Sequence, residues 1–339
     1  MGKNATCKRI ALATTIIVIA LLCGLFTTYE YVRARGVKYL EHGNQITRHQ
    51  AVIQGEAGNP WQYRVLAPYL INVVLGIFEQ LHIPHHIAAS FIFFRVIQDT
   101  VIMLLSYAYY RRLGLSPLYS LVGIAILAWG MSYSHYDSDL QFNTFFDISF
   151  YLVAGLCILQ GRFVWIVPIT LLAALNRETS GLIPFLLLSI SIFAMPKGSL
   201  RKVIPIFVTA FGTYVIIFTT LRFFYGSQEL LIPYGHYPGL DLLQYNLFRI
   251  VTWHQLIATL SIIPIIAIIG YHKWPLQLRV FFWTIVPIWF IIHLFGAVMA
   301  ETRLFLVPQA MIFIPGALYT LAQQGAVPDG NSAALHCRR

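Results

Sequence analysis

An acidic stretch near the middle of the chain, SHYDSDLQFNTFFD, carries the densest set of side chains that could do chemistry. Its polar members are His135, Asp137, Asp139, Asn143 and Asp147. In an extended loop Asp137 and Asp139 share a face. In a helix the polar side chains form a stripe at i+4 spacing, made of His135, Asp139, Asn143 and Asp147. Either arrangement offers a general base or ligands for a divalent cation such as Mg²⁺ or Mn²⁺. The alternative is a solvated loop with helix caps.

Three arginines beside apolar runs are candidate ligands of a phosphate group. Arg177 precedes Glu178 in the sequence NRET, between two short apolar runs. Glu301 and Arg303 open the last apolar run, and Arg64 follows the aromatic segment NPWQY. A guanidinium group binds phosphate oxygens in pairs, so we predict that the arginines hold phosphate and that the two glutamates support them. The simpler alternatives are structural ion pairs, snorkelling and anchoring at the membrane interface.

A further candidate acid is Glu30, which follows the first apolar run and precedes Tyr31. With Asp137 and Asp139, it completes the set of predicted catalytic acids. The chain has no Walker A loop, GxSxG elbow, HExxH helix or dinucleotide-binding fingerprint. These absences argue against the corresponding nucleotide-binding and hydrolase classes.

The elements that must position these residues are transmembrane helices. Of the 339 residues 58% are hydrophobic and only 11% are charged, and apolar runs of roughly 20 residues recur along the chain. Period-two alternation typical of a membrane β-barrel is absent, which predicts an all-α fold. The net charge of +10 fits basic loops of a membrane protein, and no nucleic-acid motif accompanies it.

The apolar pattern predicts one transmembrane domain over residues 1–321 with about ten spans, followed by a disordered cytoplasmic tail over residues 322–339. The large outer loops are predicted at residues 29–86, 134–147 and 225–249. The predicted spans are Ile10–Thr28, Ile87–Tyr110, Pro117–Tyr133, Ile148–Gln160, Phe163–Leu175, Gly181–Met195, Val203–Phe224, Ile250–Tyr271, Val280–Met299 and Leu304–Leu321.

The segment Leu66–Leu81 decides the topology, because it could span or lie flat as a juxtamembrane amphipathic helix. If it lies flat, 13 of the 23 Lys and Arg residues fall on the cytoplasmic side, and if it spans only seven do. The positive-inside rule favours the flat arrangement, with both termini cytoplasmic. Of the 13 acids, Asp329 alone is then cytoplasmic and Asp99 lies in a span one turn from Arg95. The remaining acids gather on the outer face, which predicts a functional site there.

This arrangement resembles the GT-C class of membrane glycosyltransferases, which use polyprenyl-phosphate-linked sugars. The NRET element is similar to that of uncharacterised bacterial membrane proteins with GT-C-like architecture. The similar features lie within about residues 10–195. In chain order, Glu30-Tyr31 follows the first span, and a Pro-containing juxtamembrane helix covers Pro60–Leu81. A span then runs from Arg95 to the pair Arg111-Arg112, and an acidic outer loop with Asp137 and Asp139 follows.

The resemblance implies a glycosyltransferase in the inner (plasma) membrane of a bacterium, with its active site on the outer face. The donor would be a polyprenyl-phosphate-linked sugar and the acceptor a glycan, lipid or protein. Glu30, Asp137 or Asp139 would be the base, and the last two could hold a divalent cation. Alternatives are a transporter or flippase of a lipid-linked or anionic substrate, a polysaccharide polymerase and a non-catalytic assembly subunit.

Overall fold

The computed structural model describes residues 2–136, 141–196 and 198–322. These residues form a helical bundle, as the sequence predicts. The α-helices are α1 (Gly2–Arg35), α2 (Val37–His42), α3 (Asn44–Gln54), α4 (Leu66–Gln80), α5 (His86–Leu113), α6 (Pro117–Tyr133), α7 (Gln141–Leu159), α8 (Ile166–Ala174), α9 (Ile183–Phe193), α10 (Ser199–Tyr225), α11 (Leu240–Phe248), α12 (Ile250–Leu260), α13 (Ile263–Ile269), α14 (Leu276–Gly296), α15 (Leu306–Pro308) and α16 (Ile314–Ala322).

Six helical segments in the described part of the chain are long and apolar enough to cross a membrane. They are Ile10–Arg35, His86–Leu113, Phe142–Leu159, Ser199–Tyr225, Leu276–Gly296 and Thr302–Ala322. Large apolar side chains cover the outside of the bundle, and Phe223 is 91% exposed. Apolar surface on this scale is accommodated by lipid, so the chain is an integral membrane protein.

Three other predicted spans coincide with shorter apolar helices, Pro117–Tyr133, Phe163–Ala174 and Glu178–Phe193. At about 1.5 Å per residue they reach only about 18–26 Å, against a bilayer core of about 30 Å. The structure therefore supports six spans by length and composition, or seven if α12 and α13 form one.

The predicted span Ile250–Tyr271 is broken in the structure. Helices α12 and α13 meet at an angle of 69°, and Ser261 between them has a positive φ of 55°. Pro264 lies in the first turn of α13. Because proline cannot donate a backbone hydrogen bond, it favours a new helix start at this point over an uninterrupted helix.

The last helical run, Thr302–Ala322, lies in the centre of the bundle. In its most apolar window 89% of the residues are buried, against 17% for the window in α1. It packs against α6, α7, α13 and α14, and its middle, Gln309–Phe313, is a π-helical turn. The core of the molecule therefore surrounds the helix that begins at Thr302, next to the candidate ligand Arg303.

The segment between α1 and α5 begins and ends at one end of the bundle, here called the site end. Glu41 after α1 lies 3.2 Å from His85 before α5. Helix α4 begins near Leu175, whose carbonyl accepts a bond from the Leu66 amide at 3.1 Å. Near its other end, Phe78 contacts Phe93 in the second turn of α5. These contacts keep α4 beside the first part of α5.

At the opposite end of the bundle, α5 and α7 finish together. The guanidinium of Arg112 donates to the carbonyl of Leu159 at 3.1 Å. Helix α9 runs from the site end to this end, so α10 begins here. Helix α13 also finishes at this end, and α14 begins after it. The basic residues of these termini and turns are Arg111, Arg112, Arg162, Arg201, Lys202, Lys273 and Arg279. Within the described residues no acidic side chain accompanies them, so this end of the bundle is basic, whereas the site end carries charges of both signs.

Candidate functional site

The three arginines predicted to bind phosphate lie together at the site end, although they are far apart in the chain. Arg64 follows the short 3₁₀ helix Trp61–Tyr63 and donates from Nε and Nη2 to one carboxylate oxygen of Glu178, at 3.1 and 2.8 Å. The hydroxyl of Thr144 accepts from Arg177 at 3.3 Å and from Arg303 at 3.1 Å. Thr144 therefore joins two of the arginines directly.

The arginines line a cavity of about 680 Å³ that opens at the site end. Five arginines and two glutamates contribute to its wall, a formal charge of +3 before any ligand binds. The charged lining residues are Arg48, Arg64, Arg177, Glu178, Arg222, Glu301 and Arg303. Such a wall favours an anion with several oxygen atoms, because guanidinium groups bind phosphate and carboxylate oxygens in pairs.

The indole ring of Trp61 lies among the arginines of the cavity. The guanidinium carbons of Arg64, Arg303 and Arg48 are 4.9, 5.7 and 5.9 Å from its ring centroid. A cation within about 6 Å of a tryptophan face is attracted by the ring quadrupole. Trp61 thus helps to hold three like charges in one place.

Arg177 is fixed from behind by a buried polar network that begins on α7. One oxygen of Asp147 lies 3.3 Å from Arg177, and the other accepts from Asn176 at 2.8 Å. The side-chain amide of Asn143 donates to the backbone carbonyl of Arg64 at 3.4 Å, and the backbone carbonyl of Asn143 accepts from the side-chain amide of Asn176 at 2.7 Å. Asn143 and Asp147 therefore position the cavity wall, and residues 141–147, predicted as loop, are helical because these side chains have partners inside the bundle.

Arg177 is almost wholly buried, with a side chain 5% exposed. Burial, reinforced by the neighbouring charge of Arg64, lowers the pKa of Arg177 to about 10. The guanidinium still carries its full charge at neutral pH. The buried charge is matched by Asp147, whose side chain is 1% exposed.

Two carboxylates reach the cavity itself. Glu178 is held by Arg64 and lies 3.8 Å from Arg222. Glu301 lies 2.5 Å from Arg303. Their side chains are 26% and 20% exposed, so both can meet a ligand that enters the cavity.

Of the remaining predicted site residues, the structure describes Glu30 and His135, which lie elsewhere. Glu30 pairs with Arg33 on its own helix at 2.7 Å, and it does not line the cavity. His135 bonds to the Ser132 carbonyl at 2.9 Å and is also outside the cavity wall. Asp137 and Asp139 lie outside the described residues, so their roles as base or metal ligands stay predictions.

Within the described ranges no group of three His, Cys, Asp or Glu side chains could hold a metal ion. The two described acids of the cavity are each paired with arginine, which leaves no carboxylate cluster for a cation there. The predicted cation site on Asp137 and Asp139 lies outside the described residues.

Several members of the site were not singled out as ligands from the sequence. Thr144 has no local signal except its position between Asn143 and Asp147, and Arg48 lies on the short helix α3. Arg222 lies in the last turn of α10. It lines the cavity, whereas Arg249 binds tyrosine hydroxyls and does not.

Comparison of the chain with protein-family models, with curated proteins and with solved structures finds no match. The class that the fold and site define is therefore a helical membrane protein with an arginine-rich cavity at one end of the bundle.

Proposed function

We propose that the protein is a membrane glycosyltransferase that moves a sugar from a polyprenyl-phosphate-linked donor to an acceptor on the non-cytoplasmic face. The observation that carries this proposal is the meeting of Arg64, Arg177 and Arg303 around one cavity that also presents Glu178 and Glu301. A lipid-linked donor brings its phosphate to the headgroup level, which is where a cavity at the end of a transmembrane bundle opens.

In the proposed reaction the acceptor hydroxyl attacks the anomeric carbon and the bond from that carbon to the phosphate oxygen breaks. The departing phosphate takes the electron pair, and the arginines stabilise the developing charge because they are already in place. The hydroxyl proton passes to a carboxylate. Glu301 and Glu178 line the cavity and are the described candidates, beside the predicted Asp137 and Asp139.

The proposal places the protein in a bacterial inner membrane, with both termini cytoplasmic and the site end outward. The basic residues at the opposite end and the position of α4 support this orientation. Added to the six long spans, α6, α8 and α9 as one span each and the bent α12–α13 pair as one span make the ten of the proposed GT-C-like topology. A divalent cation on Asp137 and Asp139 is part of the proposal, and loss of turnover in EDTA that Mg²⁺ or Mn²⁺ restores is its test.

The test is transfer or hydrolysis of radiolabelled polyprenyl-phosphate sugars by the purified protein in nanodiscs. We expect Arg303→Ala and Arg177→Ala to lower turnover by at least about a hundredfold, as for removal of a group that binds transition-state charge. Arg222→Ala and Arg201→Ala form a matched pair, because both arginines are on α10 but only Arg222 lines the cavity. Arg201→Ala is expected to keep full activity.

Full activity in both Arg303→Ala and Arg177→Ala would remove the site assignment. A lipid-linked substrate that crosses the bilayer with its sugar–phosphate bond intact would instead support the flippase alternative. Extension of a lipid-linked glycan by the same lipid-linked units would support a polymerase.

A further inference from the structure

A second cavity, of about 520 Å³, lies between α9 and α14 near the opposite end of the bundle. Its wall is mostly apolar and aromatic, with one cationic side chain. The lining residues are Phe185, Ser189, Phe193, Tyr271, Leu276, Arg279, Val280, Trp283, Thr284 and Ile288. None of them belongs to the arginine-rich cavity, so this site is independent of the proposed glycosyl transfer.

The cavity is a groove on the lipid-facing surface. Phe193 and Trp283 are 68% and 64% exposed, although both are large and apolar. From Arg279 to Ile288 the wall follows ten residues of α14, a length of about 13 Å. That length accommodates roughly ten methylene groups of an extended acyl chain, and the apolar wall favours such a chain.

The polar end of the groove carries a cation with unused hydrogen-bonding capacity. Nε of Arg279 is buried and has no hydrogen-bond partner within the part of the chain that the structure describes. Beside it, the indole nitrogen of Trp283 donates to the hydroxyl of Tyr271 at 2.8 Å. Tryptophan and tyrosine collect at the headgroup level of membranes, which places Arg279 at the depth of a lipid phosphate.

We propose that this groove binds an anionic phospholipid, with its phosphate on Arg279 and one acyl chain between α9 and α14. Charge complementarity favours this occupant over a neutral lipid, because Lys273 lies three residues before α14 and Arg201 and Lys202 begin α10 at the same end. Basic residues near the surface attract anionic headgroups. Arg279 adds a guanidinium that can pair with the phosphate oxygens directly.

The test compares dioleoyl phosphatidylglycerol with dioleoyl phosphatidylcholine, added to the full chain in detergent and read by native mass spectrometry. We expect wild type to retain the anionic lipid about five- to tenfold better, as one charge-assisted contact implies. Arg279→Gln should abolish the preference, and Arg279→Lys should keep part of it. Arg162→Gln, which neutralises an exposed arginine at the same end that does not line the groove, is the matched control and should keep the preference.

A groove-filling variant, Ser189→Trp, separates the apolar wall from the charge, because it leaves Arg279 in place. It should lower retention of both lipids, while an unchanged elution profile and unchanged phosphate binding at the other cavity show that it folds. Equal retention of the two lipids by wild type, or an undiminished preference in Arg279→Gln, would overturn the proposal. So would a dimer that persists without lipid and dissociates on Ser189→Trp, since a second copy would then fill the groove.

Discussion

The carboxylate of Glu178 pairs with two arginines of the cavity wall, and removal of its charge is expected to tighten anion binding. Nε and Nη2 of Arg64 both donate to one oxygen of Glu178, and Arg222 lies 3.8 Å from the other oxygen. A phosphate that enters must compete with this internal anion. Glu178→Gln keeps the shape of the side chain, removes the competing charge and frees the two guanidinium groups.

The size of the effect follows from Coulomb's law. A phosphate on Arg64 would lie about 6 Å from the Glu178 carboxylate, where two unit charges repel by about 0.7 kcal/mol in water and about 2.8 kcal/mol at an effective dielectric constant of 20. Glu178 is 26% exposed, so an intermediate value of about 1–2 kcal/mol is appropriate. This corresponds to about five- to thirtyfold tighter binding.

Isothermal titration calorimetry with inorganic phosphate and pyrophosphate would measure the change without knowledge of the natural donor. Glu229→Gln is the control, because Glu229 is exposed at the same end and does not line the cavity. It removes the same charge and should change the affinity little. Unchanged or weaker phosphate binding by a folded Glu178→Gln protein would refute the view that this carboxylate competes with the ligand. If Glu178 is also the base, turnover falls while binding tightens.

Three further outcomes are expected. Asp147→Asn should destabilise the fold by about 3–5 kcal/mol in chemical denaturation, because it leaves the buried charge of Arg177 without its counterion. Arg177→Gln added to this variant should recover much of the lost stability. Independent, additive effects of the two substitutions would contradict the pairing. Arg303→Lys should lower turnover about tenfold or more while thermal stability stays near wild type, because lysine keeps the charge but not the paired donors. Turnover equal to that of wild type would show that charge alone suffices. His85 lowers the pKa of Glu41, chiefly by a hydrogen bond, so the contribution of this pair is present above the unfolded pKa of about 4.3 and is lost as the pH falls through the lower folded value. Melting curves between pH 3 and 6 should show this loss in wild type and not in Glu41→Gln. Because the His85 side chain is 73% exposed, the difference should be below about 1 kcal/mol.

The sequence by itself determined the class of environment and much of the helix order. Transfer of apolar side chains into lipid depends on composition and run length, which are local properties, so the long apolar helices could be predicted. The pairing of Arg95 with Asp99 was also predictable, because one helical turn separates them and the structure places them 3.7 Å apart. Arg64, Arg177 and Arg303 could be named one by one, since a guanidinium beside an apolar run is unusual wherever it occurs.

Only the tertiary structure decided which of these residues share a site. Arg64, Thr144 and Arg303 come from segments far apart in the chain, and their meeting depends on how α7 and the last helical run pack. The same packing leaves Glu30 on its own helix with Arg33. It also gives Asp147 a buried arginine as partner, so that a carboxylate in an acidic stretch becomes the counterion of the cavity wall. Burial and partners are properties of the assembled bundle, and no local pattern contains them.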